Sequence, residues 1–94
     1  MDKLNIEKIK EIKRKKEQLL IKTYDYILGL CCKRIQEFGM SGRPECFYLV
    51  PYFIPGQSFY KVSGCCKYII DKLREKELKE VNYFEPNIIH IKIF

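Results

Sequence analysis

Tryptophan is missing from this chain of 94 residues, and histidine occurs once. With a single histidine, no Ser/His/Asp set and no glycine-rich phosphate loop, the usual materials of nucleophilic and acid–base catalysis are not there. Proline and glycine are scarce enough to leave no room for a flexible linker or a low-complexity tract. No run approaches the ~18 apolar residues of a membrane span, so a soluble protein is expected. The N-terminus is charged and lacks an apolar stretch of the secretory type, so oxidative folding and secretion are not expected. A non-enzymatic protein without catalytic residues, small-molecule substrate, cofactor or metal is the expectation.

The residues that are present favour one small domain. Hydrophobic side chains make up 47% of the chain, enough for a single core. A chain this short buries roughly 60 to 65% of its unfolded surface, so it folds with little margin. The net charge of +6 and pI near 9.1 bias it toward polyanions such as nucleic acid or acidic proteins.

Residues 3 to 38 contain no proline and one glycine, Gly29. Leu20, Tyr24, Ile27, Cys31, Ile35 and Phe38 recur at spacings of three and four, which places them on one helical stripe. Gly39 is the expected C-terminal cap, followed by Ser41, Gly42 and Pro44. Upstream, Ile6, Ile9 and Ile12 begin a similar stripe, but Lys13-Arg14-Lys15-Lys16 spreads charge around a full turn. A helix over 3–38 is about 54 Å long, whereas a globule of this size has a radius of gyration near 12 Å. Its first half must therefore project, pair or fray.

Cys46 to Val50 has strand composition and stops at Pro51. Pro55-Gly56 predicts a type II turn. Ser63 is the expected N-cap of a second helix over about 64–77, with Cys66, Ile69, Ile70 and Leu73 inside and Lys67, Asp71, Lys72, Arg74 and Glu75 outside. Val81 to Phe84 and Ile88 to Ile93 flank Glu85-Pro86-Asn87 as a hairpin. In the last strand Ile89, Ile91 and Ile93 face one way and Ile88, His90 and Lys92 the other. The fold class is α+β: a long basic amphipathic helix over 1–40, then a strand-helix-strand-strand module over 45–94 packed on the helix's C-terminal half. The expected sheet has three strands and carries its helices on one face. Were the first two strands neighbours, the crossover between them would be right-handed.

Cys46-Phe-Tyr-Leu-Val-Pro51, Phe53, Gly56, Tyr60, Cys66-Lys-Tyr68-Ile-Ile-Asp-Lys72-Leu73 and Pro86-Asn87 before an Ile-rich strand carry a resemblance. They resemble a small family of uncharacterised proteins from nucleocytoplasmic large DNA viruses (giant viruses), and the basic helix and the Cys32/Arg34-Ile35 region extend the likeness over most of the chain. The resemblance implies no established activity. It does imply a place in the host cytoplasm, at a viral factory, or in the virion. The abundance of Lys, Ile and Tyr over Ala suits an AT-rich genome.

The five cysteines, Cys31, Cys32, Cys46, Cys65 and Cys66, could in principle join His90 at zinc. Adjacent helical residues point about 100° apart, however, and no C-x-x-C spacing occurs, so reduced, buried thiols are expected. Asp71 and Glu75 read as a solvated helix face among basic neighbours. Two surfaces remain for function. Lys10, Lys13, Arg14, Lys15 and Lys16 are candidate contacts to nucleic-acid phosphate, although Glu7, Glu11 and Glu17 dilute the charge and Glu11 can pair with Lys15 at i, i+4. Ile6, Ile9, Ile12, Tyr52, Phe53, Phe59 and Tyr60 are candidate partner-binding residues, since Tyr and apolar anchors are enriched at interfaces. Aromatics among Phe47, Tyr48, Tyr52, Phe53, Phe59 and Tyr60 could also stack bases. The expected role is a viral structural or accessory protein acting by protein contact, as a homo-oligomer or with another viral protein. The alternative is a nucleic-acid-binding module built on the basic helix.

Overall fold

The computed structural model describes residues 4–94, so the expected helix start at residue 3 lies outside the described residues. Helix α1 spans Ile6–Met40 and opens on Asn5, whose side-chain oxygen accepts the Lys8 backbone N–H at 3.0 Å. It does not end at Gly39. The chain stays helical to Met40, and Gly42, with φ of +79°, is the residue that leaves the helix. The Gly42 N–H reaches the Gly39 carbonyl and the Arg43 N–H reaches the Phe38 carbonyl, both at 3.0 Å, which satisfies the last-turn acceptors in a Schellman arrangement. The Arg43 guanidinium closes it by stacking 5.0 Å from the Phe38 ring centroid.

Strand β1 (Glu45–Leu49), helix α2 (Val62–Arg74), strand β2 (Glu80–Phe84) and strand β3 (Ile88–Lys92) follow in the expected order. The sheet order is β1-β3-β2 with both pairings antiparallel. β3 thus separates the first two strands, so they are not neighbours and the condition attached to the crossover does not arise. Helix α2 begins two residues earlier than expected. Lys61 is its cap and makes no side-chain cap hydrogen bond, while Ser63 is already helical, because Val62 and Cys65 both pack inward.

Period-two alternation divides the sheet. On the inner face Cys46, Ile91 and Val81 form one cross-strand row and Tyr48, Ile89 and Tyr83 the next, and both helices lie over them. Ile27 and Cys31 enter this core from α1, and Cys65, Cys66, Ile69, Ile70 and Leu73 enter from α2. Val50 continues β1 inward and is held by Asn87, whose carbonyl accepts the Val50 N–H and whose amide donates to the Val50 carbonyl, each at 2.9 Å. The hairpin loop is thereby clipped to the end of β1.

Cys31, Cys46, Cys65 and Cys66 are buried free thiols, and Cys32 is partly exposed. Burial pushes the Cys31 and Cys65 thiols up from 9.0 to about 12, with the neighbouring thiols adding to the effect, and it raises Cys46 and Cys66 as well. Because the thiolate is the nucleophile, native alkylation near pH 8 should label Cys32 and spare the other four, whereas denaturant should expose all five to mass-spectrometric detection. The same shifts carry a pH dependence. Folded and unfolded chains both hold these protons below pH 9, and above it the unfolded chain ionises first. Stability should therefore fall progressively between pH 9 and about 12, and urea unfolding at a series of alkaline pH values measures it. Truncating the fully buried Ile89 to Ala should cost about 2–5 kcal/mol in that assay. The exposed Ile9→Ala should stay within about 0.5 kcal/mol of the parent.

Candidate functional site

The core covers α1 only as far as its middle. From Thr23 onward the inward stripe packs on the core, with Thr23, Ile27 and Cys31 buried and Tyr24, Ile35 and Phe38 partly so; Leu20 is half-buried, and Ile6, Ile9, Ile12, Leu19 and Ile21 are each about half exposed. The molecule measures 66 × 26 × 22 Å with a radius of gyration of 16.8 Å, against about 12 Å for a globule of this length. The N-terminal half of α1 is a projecting rod with apolar surface on it.

Loop 50–61 supplies the other wall. Gly56, at φ of +82°, occupies the second corner of the expected type II turn, which the Gln57 N–H closes onto the Ile54 carbonyl at 3.1 Å. Thr23, almost fully buried, holds this turn to the helix. Its hydroxyl lies 3.1 Å from the Leu19 carbonyl and 3.3 Å from the Gln57 side-chain oxygen. Three residues on, Tyr60 anchors the loop again. Its hydroxyl donates to the Pro51 carbonyl, its ring meets Tyr24 edge-on at 6.2 Å, and burial raises the pKa of both phenols. Tyr60 is therefore partly buried against the core, with its remaining surface beside Phe59. Between the two anchors Phe59 is turned outward and is 91% exposed.

The result is a groove of about 750 Å³ in which Phe59 and Ser58 face Ile9, Ile12, Leu19 and Leu20 of α1, with Lys13, Lys16 and Glu17 among them. Of the expected partner-binding residues, the structure brings Ile9, Ile12 and Phe59 together. Ile6 lies further along the rod, and Tyr52 and Phe53 are exposed elsewhere on the loop. Of the basic set, Lys13 and Lys16 line this groove. Helical geometry sends Arg14 and Lys15 to the other side, where Lys15 pairs with Glu11 at 3.4 Å as the i, i+4 spacing implied.

A second exposed apolar area was not anticipated. On the outer face of the sheet Phe47 and Leu49 of β1, Phe84 of β2 and Ile88 of β3 surround a shallow depression of about 520 Å³ that Arg34 borders. The alternation that put Ile88 and His90 on one face carries the signal for it, once the register places Phe47 opposite His90 and Leu49 opposite Ile88. His90 itself is nearly buried. It stacks on Phe47 at 4.6 Å between ring centroids and holds the Glu45 carboxylate at 3.0 Å. On the same face Lys92 pairs with Glu80 at 3.1 Å, an interaction that lowers the Glu80 pKa. Asp71 and Glu75 are both exposed on α2. Among the described residues no group of three or more His, Cys, Asp or Glu side chains is arranged to hold a metal ion, and no helix is long and apolar enough to cross a membrane.

Residues 4–74 match the sequence model of a family of unknown function, DUF5759. That span takes in α1, β1, the aromatic loop and α2, and hence the whole groove, but stops before the hairpin. The chain is also similar to a mimivirus protein, the uncharacterized protein R447 of Acanthamoeba polyphaga mimivirus, with 32% identity over 72 residues that make up 73% of this chain and 58% of the relative. It thus spans less than two thirds of that relative's length. No solved structure matches. With most of α1 through α2 inside the matched region and a mimivirus relative alongside it, the chain belongs to the DUF5759 family, and the giant-virus kinship expected from its motifs holds.

Proposed function

We propose that this protein is a non-enzymatic viral structural or accessory protein that works by binding other proteins in the host cytoplasm or the virion, and that the groove between α1 and Phe59 is where it does so. One observation carries the reading: a helix whose core-facing stripe continues for several turns past its own domain, with a phenylalanine from an anchored loop held over it in water. Burying a side chain of this size is worth roughly 1.5–3 kcal/mol, and monomeric proteins rarely leave such side chains contiguous and exposed without a partner.

The nucleic-acid reading rests on charge. Between residues 7 and 22 the rod carries seven basic and three acidic side chains. Their distribution weakens it, since they encircle the helix instead of forming one phosphate-tracking face, and Lys15 is engaged by Glu11.

Fluorescence anisotropy with a random duplex of about 20 base pairs separates the two. Phosphate contact would give sequence-independent binding that weakens steeply with salt, by about 0.9 in log–log slope for each phosphate neutralised, and that is abolished when residues 13 to 16 are replaced by Gln. The protein-binding reading expects no complex near 100 mM salt at micromolar protein. A complex with that salt slope under those conditions would displace it.

A further inference from the structure

Thr23 and Ile27 enter the core on a seam with spacings of three and four that does not stop where the core does. Read toward the N-terminus it continues as Leu20, Lys16, Lys13, Ile9 and Ile6, the a/d pattern of a helix that expects another helix beside it. Ile12 and Leu19 widen the seam on one side, and Phe59 stands against it. From Ile6 to Leu20 the strip is about 21 Å long. A straight strip of i, i+3, i+4 positions with one projecting aromatic wall is the geometry of helix-in-groove recognition.

We propose, building on the protein-binding reading above, that this seam receives an acidic amphipathic helix of a partner protein. The charge is argued from where the lysines stand. Lys13 and Lys16 occupy the middle of the seam, Lys10 flanks it, and Glu17 is the one carboxylate in the groove. An uncharged apolar helix laid there would cover two ammonium groups without a counter-charge, a costly burial. Glutamates flanking the partner's apolar stripe meet both ammoniums, while the lysine stems add apolar contact.

A second copy of this chain fits poorly. Positions 6, 9, 13, 16, 20 and 23 are symmetric about the midpoint between Lys13 and Lys16. Parallel pairing sets each lysine against its equivalent, and antiparallel pairing about the midpoint sets Lys13 against Lys16, so either gathers four positive charges on the seam. A shifted register moves them opposite isoleucine or leucine and brings one carboxylate per copy, Glu17, against the two seam lysines and Lys10. A lipid surface is disfavoured because the same two lysines sit at the centre of the apolar stripe and not at its edges. Phosphate contact leaves Ile9, Ile12, Leu20 and Phe59 unused.

The probe is a labelled synthetic helix of about three heptads, Leu at a and d with Glu at e and g, compared with otherwise identical peptides carrying Gln or Lys at e and g. The full chain should bind the Glu peptide at least about tenfold more tightly than the Gln peptide, and more weakly as salt rises. The double variant Lys13→Glu, Lys16→Glu should invert the preference and select the Lys peptide. Phe59→Ala should weaken binding of the Glu peptide, with circular dichroism melting unchanged in every variant because these side chains lie outside the core. Equal binding of the Glu and Gln peptides would overturn the acidic partner while leaving the protein-binding reading intact. So would a dimer in sedimentation that excludes every peptide. If no peptide binds and no dimer forms, but random duplex DNA or phosphatidylserine vesicles do bind, both readings fall together.

Discussion

Thr23 marks the boundary on which the molecule turns. On its C-terminal side α1 has a sheet and a second helix to pack against, and on its N-terminal side it has only the tip of one loop. The hydroxyl of Thr23 touches both regions, its one proton shared between the Leu19 carbonyl and the Gln57 side-chain oxygen. A short turn is thereby fastened at the last point where the helix still has a neighbour. Because that turn is fastened, and because Tyr60 is fixed to Pro51 and Tyr24 three residues later, Phe59 has nowhere to go but outward along the rod. The groove follows from a helix longer than its module and from a loop tied down on both sides of one aromatic residue.

Four buried thiols sit among isoleucine, valine and leucine, and their raised pKa values reflect an interior that penalises charge. Each buried cysteine packs there as a small hydrophobe. A domain this small keeps little stability in reserve, so its exposed apolar surface cannot be offset by a large core. Covering that surface with a partner would stabilise the rod as well as form the complex.

Much of the architecture was legible because it rests on local periodicity. The 3.6-residue stripe from Leu20 to Phe38, the Pro55-Gly56 turn and the alternation of Ile88 to Ile93 each state their own geometry. The errors fell where tertiary contacts decide. Gly39 and Gly42 are equally good helix terminators on paper, yet Gly39 stays helical and the positive φ falls to Gly42. Ser63 has the chemistry of a cap, but Val62 and Cys65 are needed inside, so the helix begins before it. Thr23 was invisible as a site residue because its role depends on Gln57, 34 positions away. Tyr60 and Phe59 are adjacent aromatics in one loop. Nothing in their composition tells which packs against the helix and which faces water, and the contacts of Tyr60 to Tyr24 and Pro51 settle it.

The two apolar areas of the surface differ in a way that bears on function. The depression on the outer sheet face is lined by Phe47, Leu49, Phe84 and Ile88 with one cation, Arg34, at its border, while the Lys92–Glu80 pair lies elsewhere on the same face. The groove on α1 carries two cations, Lys13 and Lys16, against one carboxylate, Glu17, and its cations stand inside the apolar strip. Cations set among apolar side chains keep a standing attraction for an opposite charge brought by the same ligand. The matched region of the family covers all of the groove and only the β1 part of the sheet face. The unbalanced charge and the unpartnered stripe therefore coincide on the segment that the family shares, which is why the proposed ligand is a helix that answers both at once.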